Sequence, residues 1–218
     1  RADELPTRPT PKQALEALND YIGDWHGSGS PERPQPDPRD IWRENASWTW
    51  RFKGDDAWLV LKIKDGKHFR GGELHYVPDK KRYRLTMTTT NGQSEVFEGR
   101  IHKDTLTLDR LDPKSHETQR LRMNLAADGA RFIYHYDYRP RGRTVFYRGY
   151  QVGFTREGES LAATENKIEC VVTGGLGKIP VSYKGQTYYV CCSGCLEAFN
   201  ENPAKYIKEY EKRKASRK

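Results

Sequence analysis

Cysteine is almost absent from this sequence: the chain has only four among 218 residues, and none precedes Cys170. The other three lie in the stretch YYVCCSGC, as Cys191, Cys192 and Cys195. Long apolar runs are also lacking, because no stretch approaches the roughly 18 residues that a membrane-spanning helix needs. We therefore expect no membrane insertion, and we expect any cysteine chemistry to be confined to the C-terminal part of the chain.

A strong excess of one charge is lacking too. The chain has 38 Lys and Arg against 30 Asp and Glu, a formal charge of +8. The only dense basic run is EKRKASRK at 211–218, which is more typical of a solvated terminus than of a nucleic-acid contact. Nucleic acid is therefore not an expected partner. The chain begins at Arg1, which we interpret as processing or trimming; it favours an exported or periplasmic protein, with a cytoplasmic one as the alternative.

Alternation with a period of two dominates the first two thirds of the sequence. In WRENASWTWRFK (42–53), the tryptophans Trp42, Trp48 and Trp50 occupy even positions, while polar residues occupy the odd ones. Only a strand places two such sets on opposite faces. Comparable runs follow, separated by turn dipeptides such as Asn91-Gly92. These runs are 57–64, 70–77, 82–90, 94–101, 105–111, 118–125, 131–139 and 144–154.

The predicted fold is mainly β. About nine or ten strands with short connections and no helical crossovers favour antiparallel pairing of chain neighbours. A closed sheet has no exposed edges, so an up-and-down barrel is the simplest arrangement, and a β-sandwich is the alternative. PKQALEALNDYI (11–22) predicts an amphipathic helix before the barrel, because its apolar residues recur at helical spacing.

The stretch GDWHGSG (23–29) resembles the Gly-x-Trp signature at the first strand of lipocalin-like barrels. Nitrobindin and related lipocalin-like families begin in the same way, with a helix that leads into Gly-x-Trp-x-Gly. The resemblance covers roughly residues 12–156. It implies that Trp25 packs across the closed end of such a barrel.

The barrel interior has two interpretations. Inward-facing aromatic side chains either fill the barrel as a core or surround a cavity for a small apolar ligand. The candidate ligand-binding residues are Trp48, Trp50, Phe132, Tyr134 and Tyr136. Haem, which nitrobindin binds through a late histidine, is not expected, because His135 lies on the strand face opposite to these aromatic residues.

A different pattern begins after residue 168. IPVSYKGQTYYVCC predicts a hairpin around Lys184-Gly185, followed by one or two helices, and the segment is too small for a self-sufficient core. The stretches CVVTG, YKGQTYYVCC, GCLEAF and NPAKY make it resemble a YHS domain, one of the TRASH-like metal-binding modules. The domains predicted are a barrel at 1–156, a linker at 157–168, the module at 169–212 and a basic tail at 213–218.

The resemblance implies a metal site. Members of the family are thought to bind zinc or copper through cysteines that correspond to Cys170, Cys191 and Cys195. Cys192 is outside the pattern, and we interpret it as a small buried residue that a strand would point away from the site. Zinc prefers four ligands, so Cys192, Glu169, Glu197, a barrel residue or water remains open as the fourth. A disulfide from Cys170 to a hairpin cysteine is the alternative to a metal.

These patterns favour a binding protein over an enzyme, because the sequence has no serine elbow, phosphate loop or His-x-x-x-His. The leading hypothesis is a non-enzymatic, metal-binding protein that acts in metal sensing, storage or trafficking. The alternative is a carrier of a small hydrophobic ligand in the barrel, in which the cysteine module is purely structural.

Overall fold

A short helical segment at the N-terminal side of the barrel covers one end of the barrel. A computed structural model describes residues 8–35, 37–157 and 168–216, so most of the predicted linker at 157–168 lies outside the described part. Helix α1 (Pro11–Leu15) begins with a capping box between Thr10 and Gln13. The predicted helix does not continue as an α-helix to residue 22, because the chain tightens into a 3₁₀ helix at Glu16–Tyr21.

Ten antiparallel strands form a closed barrel, in which each strand pairs with its neighbours in the chain and β1 pairs with β10. This confirms the predicted up-and-down barrel. The strands are β1 (Gly23–Pro31), β2 (Trp42–Lys53), β3 (Asp56–Lys64), β4 (Phe69–Val77), β5 (Arg82–Thr89), β6 (Ser94–His102), β7 (Thr105–Leu111), β8 (Thr118–Ala126), β9 (Arg131–Arg139) and β10 (Tyr147–Arg156).

Trp25 lies at the end of the barrel that the N-terminal segment covers. Its side chain is 1% exposed. Its indole N–H donates to the carbonyl oxygen of Tyr21 at 2.8 Å, and the guanidinium of Arg156 lies 4.2 Å from the ring centroid. The N-terminal turn, the first strand and the last strand are thereby held together at this end.

Side chains occupy much of the barrel interior between the described strands. Trp48, Phe132 and Tyr134 are buried and contribute to the lining of a void of about 10 Å³. A second void of about 10 Å³ lies between Tyr21 and Trp48. Sites for small ligands usually measure several hundred Å³, whereas each of these voids holds roughly one water molecule. The geometry favours the filled-core interpretation of the barrel.

The C-terminal module contains a two-stranded sheet and two helices. Its elements are β11 (Ile179–Tyr183), β12 (Gln186–Val190), α2 (Ser193–Glu201) and α3 (Pro203–Ser216). The predicted hairpin is therefore present, and helix α3 runs across the boundary that was predicted between the module and a basic tail. In the described part of the chain, no helix is long and apolar enough to span a bilayer.

Candidate metal centre

Three sulphur atoms converge in the module. The Sγ atoms of Cys170, Cys191 and Cys195 all lie within 4.8 Å of one another, and all three residues are buried. Cys191 directly follows β12, Cys195 lies in the first turn of α2, and Cys170 lies in the loop that precedes the hairpin. The site thus receives one sulphur donor from the end of the hairpin, one from the start of helix α2 and one from the preceding loop.

The loop that carries Cys170 is held by its own backbone. The N–H of Cys170 donates to the carbonyl of Gly175 at 2.7 Å, and the N–H of Gly174 donates back to the carbonyl of Cys170 at 2.9 Å. The N–H of Val171 donates to Tyr189 of β12 at 2.8 Å. Gly174 has a φ of +79°, a left-handed conformation that glycine adopts without a steric penalty. This tight turn sets Cys170 beside the end of the hairpin.

Arg213 of helix α3 holds the same loop from outside. Its guanidinium donates to the carbonyls of Val171 at 2.9 Å and Cys170 at 3.3 Å, and it contacts the carboxylate of Glu169 at 3.3 Å. A planar guanidinium can serve several acceptors at once, which a lysine ammonium does less well. The residue that was assigned to a solvated tail therefore supports the loop of the first cysteine.

Thr173 lies beside two of the three sulphurs. It is 1% exposed, and its hydroxyl oxygen is 3.7 Å from the sulphur of Cys191. Besides the larger effect of hydrogen bonds from Cys191 and Cys195, hydrogen bonding from the side chain and the backbone of Thr173 lowers the pKa of the Cys170 thiol. Donors of this kind stabilise the thiolate form, which is the form that binds a metal.

Cys192 is closer to the cluster than its strand pattern predicts. Because β12 ends at Val190, the alternation of a strand no longer applies to Cys191 and Cys192, and their sulphurs lie 3.8 Å apart. Cys192 occupies the cap position of α2. Its sulphur accepts the backbone N–H of Trp50 in the barrel, with an N···S distance of 3.4 Å. The assumption that it points away from the other cysteines is therefore wrong, although it is buried as expected.

The electrostatics of the four thiols are linked. Hydrogen bonds from Cys191 and Cys195 lower the pKa of the Cys170 thiol, and hydrogen bonds from the same two residues lower the pKa of Cys192. Burial raises the pKa of Cys195. Protons thus remain on part of the cluster while other members favour the thiolate, and a bound cation would displace those protons.

The two carboxylates considered as a fourth ligand have other partners. Glu169 contacts Arg213, and the carboxylate of Glu197 lies 2.8 Å from Arg51 of β2. Among the described residues, the three-cysteine group is the cluster with metal-ligand geometry. The donors present are soft sulphurs, which fit copper(I) or zinc better than magnesium or calcium.

The structure brings together some of the aromatic residues that were predicted to bind a barrel ligand. Trp48, Phe132 and Tyr134 line the same small void. Trp50 is fully buried and instead contacts the module, and Tyr136 is stacked on Tyr150 at 4.9 Å. His135, on the other face of β9, lies 3.4 Å from Glu32.

Sequence reasoning missed Thr173, Arg213 and Asn19 as members of the site. Thr173 lies three residues after a candidate ligand, and that proximity is the one signal that could have identified it. Asn19 and Arg213 are distant in the sequence and reach the site only through the tertiary fold.

The comparison with known families agrees with this geometry. The family model of the YHS domain matches residues 178–210, a range that includes the hairpin, helix α2 and three of the four cysteines. Cys170 lies before the matched range. The chain therefore carries a C-terminal YHS domain joined to a ten-stranded barrel. No curated protein matches the sequence.

Proposed function

We propose that this protein binds one soft metal ion, copper(I) or zinc, through the thiolates of Cys170, Cys191 and Cys195. The observation that supports the proposal most directly is the convergence of the three sulphurs within 4.8 Å in a buried site. When bound, the ion would supply the charge that three thiolates in a site sheltered from water require. The three cysteines would act as ligands, and Thr173 would orient and stabilise the thiolate of Cys170.

The identity of the metal depends on Cys192. Three thiolates without a fourth donor suit copper(I), whereas zinc in structural sites takes four ligands. The sulphur of Cys192 lies 3.8 Å from that of Cys191, so a small movement would bring it to a zinc ion. In either case, we assign a role in metal sensing, storage or trafficking, with the barrel as a packed scaffold. A non-enzymatic role and an exported location remain predictions.

The test is metal content. We expect about one equivalent of copper or zinc in full-length protein that is purified under reducing conditions without added metal. Serine at positions 170, 191 or 195 should abolish or greatly weaken binding, because a serine hydroxyl stays protonated at neutral pH. Loss of the metal in Cys192→Ser as well would establish a four-cysteine site, whereas full retention in Cys170→Ser would contradict the three-cysteine assignment.

A count of free thiols tests the alternative. Metal-free protein should have four reactive thiols after unfolding, since the described structure contains four free cysteines. Two thiols instead of four, without any reductant in the preparation, would favour a disulfide as the working state of the module.

A further inference from the structure

The module is docked against an uncovered part of the barrel. Strand β1 pairs with β2 only as far as Trp48, while β2 continues to Lys53. Beyond Trp48, the edge of β2 that β1 leaves free faces helix α2. The backbone N–H of Trp50 donates to Cys192 there, and Arg51 pairs with Glu197. The barrel therefore supplies backbone and side-chain partners to the cysteine module.

Asn19 forms a second connection between barrel and module. It lies in the 3₁₀ helix at Glu16–Tyr21 that covers the barrel end. Its amide oxygen accepts the indole N–H of Trp50 at 3.2 Å, and its amide nitrogen donates to the carbonyl of Thr173 at 2.8 Å. One side chain thus uses both of its polar atoms, one toward the barrel and one toward the loop that contains the first cysteine.

The loop is shaped to receive this side chain. An ideal Cβ placed on Gly175 would lie 3.1 Å from the side chain of Asn19, so a larger residue at that position would crowd the Asn19 side chain. Thr173, whose carbonyl Asn19 holds, in turn has its hydroxyl oxygen 3.7 Å from the sulphur of Cys191. A chain of polar contacts therefore runs from Trp50 through Asn19 and Thr173 to Cys191, a candidate metal ligand.

We propose that Asn19 is a positioning residue of the metal site, and that the end of the barrel is thereby part of that site. The proposal rests on the metal-binding function proposed above. By fixing the carbonyl of Thr173, Asn19 holds the Thr173 hydroxyl beside the sulphur of Cys191. It also supports the turn between Cys170 and Gly175, which sets the position of the Cys170 sulphur. Outer partners of this kind typically change metal affinity by about 10- to 100-fold when they are removed.

The experiment uses the full chain with Asn19→Ala and Asn19→Asp. Aspartate has nearly the same shape and keeps an acceptor for Trp50, but it lacks the donor that Thr173 requires. Asn45→Ala is the matched control, because Asn45 is an exposed barrel asparagine whose partner is His26. Zn²⁺ and copper(I) are titrated separately against a chromogenic chelator without oxygen. We expect both Asn19 variants to bind one ion about tenfold more weakly, and Asn45→Ala to bind as the wild type does.

Two further readouts separate positioning from general stability. With Co²⁺ as the probe, the thiolate-to-metal absorption band should shift in the Asn19 variants and stay unchanged in Asn45→Ala. In metal-free protein, the amides of Cys170 and Gly174 should exchange hydrogen faster in Asn19→Asp, because their turn loses its outer support.

The outcomes are distinct. Wild-type affinity and wild-type exchange in a folded Asn19→Asp protein would overturn the proposal. If the wild type binds neither metal, the proposed function fails, while the exchange measurement still decides whether Asn19 holds the loop.

Discussion

At the scale of single residues, Cys192 joins two parts of the molecule. Its sulphur lies 3.4 Å from the backbone nitrogen of Trp50 and 3.8 Å from the sulphur of Cys191. The N–H of Trp50 is directed away from β3 and lies beyond the end of the pairing between β1 and β2. A buried N–H in this position needs an acceptor from elsewhere in the fold, and Cys192 provides it.

We therefore expect Cys192→Ala to lower the free energy of unfolding by about 1–3 kcal/mol, because it leaves a buried donor without an acceptor. Cys192→Ser is the matched control, since its hydroxyl oxygen can still accept the hydrogen bond. This variant should therefore lose less unfolding free energy than Cys192→Ala. Urea unfolding of the metal-free proteins measures both. If the alanine variant is as stable as the wild type, the N–H of Trp50 has another acceptor and the docking role of Cys192 is wrong.

The resemblance to YHS domains implied which cysteines meet, but the sequence could not predict what surrounds them. The hairpin and the start of α2 bring Cys191 and Cys195 together locally, and the resemblance to YHS domains added Cys170. Cys192 was misjudged because the strand was extended by two residues beyond Val190. Asn19 lies far from the cysteines in sequence, and no periodicity predicts a hydrogen bond between the barrel end and a loop in another domain.

At the scale of elements, helix α2 packs directly on strand β2. The contact is close at Gly194, in the first turn of α2, where an ideal Cβ would lie only 1.7 Å from the carbonyl oxygen of Trp50. Glycine is therefore required at this position by backbone proximity rather than by a turn conformation. The same helical turn carries Cys195, so the distance between helix and strand also determines where that sulphur lies.

Gly194→Ala should force α2 away from β2. We expect a loss of about 1–3 kcal/mol in unfolding free energy, the usual range for a side chain inserted into a packed contact, together with weaker metal binding. Gly153→Ala is a suitable control, because nothing lies within 4 Å of an ideal Cβ at that barrel position. Thermal unfolding followed by circular dichroism, and chelator competition, measure the two effects. Equal behaviour of the two alanine variants would contradict the close contact.

At the scale of the whole molecule, the barrel interior differs from one end to the other. The end near the module is lined by apolar side chains. Glu44 lies toward the opposite end, near the start of β2, where it points inward and is 2% exposed. Its carboxylate accepts the indole N–H of Trp42 at 2.7 Å and the hydroxyl of Tyr134 at 3.3 Å. Burial raises the pKa of Glu44 above its usual 4.5.

This raised pKa gives stability a defined dependence on pH. The folded protein holds a proton on Glu44 at pH values where the unfolded chain has lost it, so this contribution is present below pH 4.5 and is lost as pH rises through the folded pKa. Glutamine cannot ionise, so Glu44→Gln does not lose this stability as pH rises. The free energy of unfolding of the variant, relative to that of the wild type, should therefore increase from pH 4 to pH 7. Urea unfolding at several pH values measures the difference.

Glu98→Gln is the control, because its stability relative to the wild type should change with pH in the opposite direction. A hydrogen bond from Arg84 lowers the pKa of Glu98, so the wild type should gain stability over this variant as pH rises. If the free energy of unfolding of Glu44→Gln depends on pH in the same way as that of the wild type, the Glu44 carboxyl is not desolvated in the folded protein.

The period of two was sufficient to predict the barrel, and strand order followed from the short connections. Glu44 shares the even positions of β2 with the tryptophans, but its burial was not predicted, because a charged residue in such a series does not by itself indicate burial. The docking of the module was not predictable, because it depends on where β1 stops pairing with β2. That end point depends on the register of the closed barrel, which no local pattern contains.

The strand order also has a consequence for biosynthesis. Every barrel strand pairs with its neighbour in the chain except at the closure, where β1 meets β10 in pairs such as Trp25 with Arg156. Local pairings form readily, whereas this closure joins distant segments and must wait for the last strand. The cysteines follow β10 in the chain and leave the ribosome after it. Because domains generally fold as they emerge, we expect the thiols to assemble on a barrel that is already closed, so that metal loading is the final step of maturation.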